Sequence, residues 1–393
     1  MMRRFFLAPL TALLMMAAAC CEREPFIEQP PTNLLIFYTC GHDNGLSGNI
    51  NTNLNELLNG TLLPSLGSNK DVIFFLQHSN ASAPVLYRLG YDESGKKAKV
   101  QTDWEEMPQW ASNSVCISSD TLSRVLAAIQ HRYPAKHSYL IVSSHASGWL
   151  PAGYYGNLSE QGYIPIATTI GQELAPDKKH LYEMELTRFA ARLPFHFDAI
   201  FFDACLMGGV ETAFELRNKC DYVGFSPTEI LAHGMYYDTM VEHLTKGEIV
   251  KVAEDYMSYY RHRTGSRCGT YSVIDCQRLD TLARACSTVF ANHRAAMAGI
   301  DPESLQQYFR GEHPWYYDLR DVAVGLGATE EEMTALDGAF AQCVVFKDHT
   351  ETFLELNISH SCGLSTYLPK TGNDELNTCY KKLRWNGATE YVE

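Results

Sequence analysis

Ile200-Phe201-Phe202-Asp203-Ala204-Cys205-Leu206-Met207-Gly208-Gly209 moves from an apolar run to an acid, a thiol and two glycines. With Asp198 and Ala199 the apolar run is too short for a helix and has no polar face. It reads as a strand buried on both sides. Val210, Phe214 and Leu216 follow as the apolar set of a helix. Upstream, Tyr139-Leu140-Ile141-Val142 is a second strand of the same kind, running into Ser143-Ser144-His145-Ala146-Ser147-Gly148-Trp149. Working outward, Leu34 to Tyr38, Val72 to Leu76 and Tyr222 to Phe225 are further apolar strands. Helices are expected from Asn49 to Leu58, from a cap at Asp120 through Ile129, and over Met184 to Leu193. Residues 85–103 suggest a surface hairpin, and residues 150–180 an insertion. Strands alternating with amphipathic helices imply an α/β fold, a mostly parallel central sheet covered on both faces. Beyond residue 240 the pattern is more helical, with strand-like stretches at Thr270 to Ile274 and Cys362 to Leu368.

In such a sheet, reacting groups gather at the carboxyl ends of the strands. His145 and Cys205 both stand there, sixty residues apart, which leaves room for the insertion and one crossover helix. A right-handed crossover sets the two strand ends side by side. A thiol at a helix N-terminus is expected to favour thiolate, and a nearby imidazole to take its proton and later protonate a leaving amine. The backbone N–H groups of Ala146 and Cys205 are the candidate oxyanion donors. Asp203 is a candidate for binding a basic side chain, or for satisfying N–H groups of the following helix. Trp149 reads either as a cover over packed strands or as a substrate contact.

Taken together, these motifs resemble the clostripain-like cysteine peptidases, relatives of caspases, gingipains and legumain. The family's two signature segments correspond to His145-Ala146-Ser147-Gly148-Trp149 and Asp203-Ala204-Cys205-Leu206-Met207. Tyr38 to Leu46, Ser226-Pro227-Thr228-Glu229 and Gly363 to Pro369 resemble further family segments. The resemblance implies a caspase-like α/β/α sandwich and a thioester acyl-enzyme formed by Cys205 with His145. It also implies cleavage after Arg or Lys, with Asp203, Ser226, Thr228 and Glu229 around the P1 side chain. Ala146 stands where the family has glycine, and Leu231-Ala232-His233-Gly234 lacks a further acid expected in basic-specific members. Autoprocessing at Lys178 or Lys179 is expected by the same resemblance. Some members depend on calcium, but no site for it is identifiable, and no cofactor is expected. A catalytically silent lipoprotein that binds peptides in the same cleft is the competing reading.

Residues 1–19 read as a signal peptide: Arg3 and Arg4, an apolar run from Phe5, then Ala17-Ala18-Ala19 before Cys20. Cys20 is the expected lipidation site and residues 20–32 a tether, giving an exported protein anchored to a bacterial membrane. Residues 33–265 are expected to form the peptidase core. Residues 266–393 are expected to form a mainly helical extension that packs on it and adds strands. The net charge of −14, more negative still without Arg3 and Arg4, has no basic stripe against it, so nucleic acid is excluded as a partner. The twelve cysteines include no C-x-x-C, so they read as buried small hydrophobes and no metal site is expected. His42 and Asp43 form the one adjacent pair with ligating side chains considered for a metal, and read as part of a turning loop. Peptides and proteins are the expected partners of a monomer.

Overall fold

A computed structural model describes residues 30–393 apart from 43, 64–65, 67–69, 79–82, 111–113, 155–169, 175–180 and 312–313. Cys20, Asp43, Lys178 and Lys179 therefore lie outside the described residues. The described strands are β1 (Asn33–Thr39), β2 (Asp71–Gln77), β3 (Val85–Tyr91), β4 (Lys97–Gln101), β5 (His137–Ser143), β6 (Ile170–Leu174), β7 (Leu181–Met184), β8 (Phe197–Asp203), β9 (Cys220–Phe225), β10 (Thr270–Asp275), β11 (Tyr317–Asp318), β12 (Val344–His349), β13 (Thr352–Phe353), β14 (Leu356–Asn357) and β15 (Ser365–Thr366). Nine of them form one sheet in the order β12-β10-β9-β8-β5-β1-β2-β3-β4. The middle of the sheet is parallel, from β9 through β8, β5 and β1 to β2. Both margins are antiparallel: β3 and β4 on one side, β10 and β12 on the other.

The described α-helices are α1 (Ser47–Asn59), α2 (Ser119–Arg132), α3 (Leu186–Arg192), α4 (Val210–Leu216), α5 (Met240–Thr245), α6 (Ile249–His262), α7 (Leu279–His293), α8 (Leu319–Gly325), α9 (Glu330–Cys343), α10 (Asp374–Tyr380) and α11 (Arg384–Thr389). Alternation along the strands divides the apolar residues into two layers. Ile36, Phe74, Leu140, Ile200 and Phe202 pack with Leu122 and Val125 of α2, Phe189 of α3 and Phe214 of α4. Phe37, Phe75, Ile141 and Phe201 face the other way, onto Ile50 and Leu54 of α1, Leu244 of α5 and Tyr256 of α6. The result is the α/β/α sandwich expected from the apolar strands, each fully buried Leu or Phe contributing roughly 1.5–3 kcal/mol.

Some local expectations are corrected. Ser118, not Asp120, caps α2: its Oγ accepts the Thr121 N–H at 3.1 Å, and Asp120 sits in the first turn. Met184 belongs to β7, so the helix begins at Leu186. The 85–103 hairpin joins the main sheet as β3 and β4. Within Cys362 to Leu368 only Ser365 and Thr366 pair, both with β11 and Ser365 also with Gly209, and Gly363 before them takes φ 93°. Ten cysteines are described, all free, and eight are buried. Among the described residues no helix is long and apolar enough to cross a membrane.

Candidate active site

β5 and β8 are parallel neighbours with Ser143 paired to Asp203. His145 and Cys205 each follow two residues later, so the sheet register brings them to the same edge. The two loops also cross at close range. Gly148 has φ 65°, and a Cβ there would lie 2.6 Å from the Leu206 carbonyl oxygen, a contact only glycine admits.

Cys205 stands in the turn that leaves β8, and α4 begins only at Val210. The expected placement at a helix N-terminus is therefore corrected. The dipole of this seven-residue helix decays within its first turn and does not reach the thiol. Leu206 adopts the left-handed φ of 59°, which costs roughly 1–2 kcal/mol for a residue with a side chain. Its N–H donates to the Thr228 carbonyl at 2.9 Å and that of Gly208 to the Ser226 carbonyl at 2.8 Å, fixing the turn in this shape.

Ser143, Ser144, His145, Asp203, Ala204 and Cys205 line one side of a cavity of about 140 Å³. Asn49, Ile50 and Asn53 of α1 close it opposite, with Ile230, Leu231, Ala232 and Gly234 completing the wall. Asp203 is 6 % exposed. Its Oδ2 accepts the Tyr237 hydroxyl at 2.6 Å and that of Ser143 at 3.3 Å, and the carboxylate also accepts the Met235 N–H. Burial raises its pKa against these donors. None of the three lies on α4, so the alternative of Asp203 as a cap of that helix has no support in these contacts.

The imidazole and the thiol are both engaged with backbone. His145 Nε2 lies 2.8 Å from the Asn44 carbonyl, which assigns the proton to Nε2. Burial lowers the His145 pKa, partly offset by that contact, so the ring is neutral. Cys205 Sγ accepts the Ile230 N–H at 3.4 Å and faces the Ile230 carbonyl at 3.6 Å. Burial and the nearby Glu229 charge push the thiol up to about 12; the Ile230 N–H opposes them, Asp203 adds to the rise and Arg310 offsets part of it. The thiol is thus protonated at neutral pH.

Ser226, Thr228 and Glu229 do not line the cavity, contrary to the direct contact expected of them. Ser226 and Thr228 are buried, and each hydroxyl lies 2.8 Å from Thr270 Oγ1, where they brace the strand behind the Cys205 turn. Glu229 is clamped by Arg310, whose terminal nitrogen lies 3.0 Å from Oε1, which leaves no free carboxylate for a substrate. Ala146 is fully buried and avoids positive φ, so the methyl that replaces the family glycine's hydrogen needs no strained backbone. Trp149 packs between Tyr367 and Tyr380 at centroid distances of 4.8 and 4.9 Å, a core position.

Sequence reasoning missed Asn44, Asn53 and Glu173. Asn49 and Asn53 carry a readable signal, polar residues at i and i+4 on a helix that must also bury a face. Glu173 carries none, since its partners are distant in the chain. Its carboxylate accepts His78 Nδ1 at 2.5 Å and the N–H groups of Cys116 and Ile117 at 2.6 and 2.9 Å. Among the described residues His78, Cys116 and Glu173 form the only grouping able to surround a metal ion. With the carboxylate accepting these three bonds, and burial and its charge raising the Cys116 thiol, the group ties β6 to the segments that carry His78 and Cys116. From the same strand the Gly171 N–H donates to the His145 carbonyl at 2.8 Å.

A model of the clostripain family of peptidases matches residues 37–337, most of the chain and both signature loops. The chain belongs to the clostripain family. It is a cysteine peptidase with the caspase-like fold. No curated protein matches it significantly. Among solved structures it is similar to an inactive zymogen C11 protease from Parabacteroides distasonis, with 26% identity and a TM-score of 0.76 over 92% of this chain and 99% of that one. Two structures of a secreted C11 cysteine protease from Bacteroides thetaiotaomicron share the fold. One has 22% identity and a TM-score of 0.75 over 91% of this chain and 99% of that one. The other, in complex with an irreversible peptide inhibitor, has 23% identity and a TM-score of 0.76, with 92% and 99% covered.

Proposed function

We propose that this clostripain-family peptidase is an endopeptidase in which His145 activates Cys205 to form a thioester acyl-enzyme, preferring Arg or Lys at P1. The observation that carries the reading is the register: a histidine and a cysteine two residues beyond the Ser143–Asp203 pair, opening on one cavity with a buried carboxylate. In the reaction Cys205 Sγ attacks the scissile carbonyl while His145 takes the thiol proton and passes it to the leaving amine. Water then hydrolyses the thioester. Ala146 and Cys205 N–H groups are the proposed oxyanion donors. Asp203 offers negative charge to a basic side chain in a low-dielectric site. The test is a panel of fluorogenic peptides with Arg, Lys, Asn or Asp at P1. Turnover confined to Arg and Lys is expected; equal turnover across the panel, or none, removes the proposal.

The protonated thiol describes a resting state, in keeping with the inactive zymogen to which the chain is similar. We read activation as cleavage after Lys178 or Lys179, between β6 and β7. The Gly171 contact links that hairpin to the His145 loop. The apolar segment before Cys20 supports export and anchoring through an acylated Cys20. Intact-mass analysis of membrane-purified protein checks both. Wild type should give two chains, of which only the N-terminal one carries the acylation shift, and Cys205→Ala a single acylated chain; identical single chains exclude self-cleavage, and an unmodified Cys20 excludes the anchor.

A further inference from the structure

The segment Leu231 to Gly234 brings no acid to the cavity, while α1 lines it with Asn49 and Asn53 and carries an acid one turn beyond, Glu56, within the field of Asp203. Asn49, Asn53 and Glu56 recur at i, i+4 and i+7, on one face of that helix. Asn49 and Asn53 line the cavity. Asn53 is 2 % exposed, and its Oδ1 is buried without a hydrogen-bond partner among the described residues. A buried acceptor left unpaired is unfavourable and calls for a donor. One turn along, Glu56 sets a carboxylate oxygen 3.7 Å from His233 Nε2, with 23 % of its side chain exposed. Burial and the negative charges of Asp238 and Asp203 hold the Glu56 carboxyl up to about 7. An acceptor without a donor, beside carboxylates that repel one another, is a site lacking a positively charged donor.

We propose that Asn53 and Glu56 read the P1 side chain: Asn53 Oδ1 accepts from the head group of a lysine or arginine, and Glu56 supplies a second carboxylate beside Asp203. The assignment rests on the basic-P1 reading given above. It places the second acid on α1, where the 231–234 segment holds His233. His233 then fixes the Glu56 carboxylate in the empty pocket, while burial and Arg263 keep its own pKa low. A bound ammonium or guanidinium replaces that weak partner with a full charge.

Other groups face Glu56 from every side. Asp238 precedes α5, Asp203 ends β8, and His233 lies in the turn before Gly234, with Arg263 acting on it from the end of α6. The phenols of Tyr236 and Tyr259 are within its field, and Lys97 of β4 holds the Asn59 and Gly60 carbonyls at the end of α1. Below about 7 the Glu56 carboxyl is neutral, and above it the group carries its charge. Selection for a cationic side chain should therefore strengthen as pH rises through that value.

The experiment measures kcat/KM for two peptides that differ only at P1, lysine against norleucine, in wild type, Glu56→Gln and Asn53→Leu. The ratio of the two cancels the titration of His145 and Cys205. Each variant is expected to lower the lysine-over-norleucine ratio by about tenfold, through KM rather than kcat. The wild-type ratio should rise across neutral pH and that of Glu56→Gln stay flat. Glu56 is partly exposed, so its conservative replacement keeps the fold, and active-site titration with a covalent inhibitor normalises both variants. A wild-type ratio near one overturns the basic-P1 reading and this assignment with it. A wild-type preference that both variants retain overturns this assignment alone.

Discussion

Replacing Cys205 with alanine is expected to lower kcat/KM for every cleaved peptide by at least about 10⁴-fold. His145→Ala should fall nearly as far, and the double variant no further, because nucleophile and base act as one unit. The electrostatics give the reason. With the thiol pushed up to about 12 by burial and by Glu229, thiolate at pH 7 is on the order of one molecule in 10⁵. Attack therefore requires a base to take the proton as the bond forms, and with Nε2 donating to the Asn44 carbonyl the free nitrogen of His145 is Nδ1. The same ground state predicts slow alkylation of Cys205 by iodoacetamide at neutral pH, rising only as pH climbs toward the thiol's raised pKa. Burst titration and steady-state kinetics on the three variants are the check. A Cys205→Ala enzyme that keeps more than about a hundredth of wild-type turnover would show that another group attacks the peptide.

The second large effect is on stability. Arg310→Met should destabilise the fold by about 3–5 kcal/mol, measured as a lower urea midpoint with an unchanged slope. Arg310 and Glu229 side chains are only 13 % and 8 % exposed, so they exchange hydration for each other. Taking away the cation leaves the Glu229 carboxylate beside the Cys205 turn with neither water nor partner. Glu229→Gln should cost less, since Glu355, 67 % exposed, still holds the guanidinium at 2.7 Å. The paired replacement of both residues by apolar ones should recover much of the loss. If Arg310→Met unfolds at the wild-type midpoint, the pair is not a structural clamp.

The parallel strands, and the placing of His145 and Cys205 just past two of them, were legible because both depend on neighbours in the chain. Apolar runs such as Ile200 to Phe202 admit one reading when five residues end in a break, and a reactive residue after each needs no tertiary knowledge. Strand β12 was not legible. Val344 follows α9 without a turn signal, and its alternating half-buried pattern marks an edge strand only once β10 is beside it. The same limit applied to Glu229. As a sequence it is a free acid in a substrate-flanking segment, but its partner Arg310 lies eighty-one residues away. The thiol's environment was misread for a related reason. Gly208 and Gly209 looked like the first turn of a helix, whereas the backbone passes through a left-handed Leu206 before α4 begins.

The register that sets Cys205 beside His145 also ties together the two lengths of chain that carry them. β5 is hydrogen-bonded on one side to β1 and on the other to β8, and β8 in turn to β9. A severed chain between these strands leaves two polypeptides that meet along one seam, β5 against β8, with β1 to β4 on one side and β9, β10 and β12 on the other. Neither can depart without exposing two rows of backbone donors and acceptors. A chain cut between β6 and β7 would thus keep both parts of its sheet, held by the β5–β8 ladder rather than by the peptide bond lost.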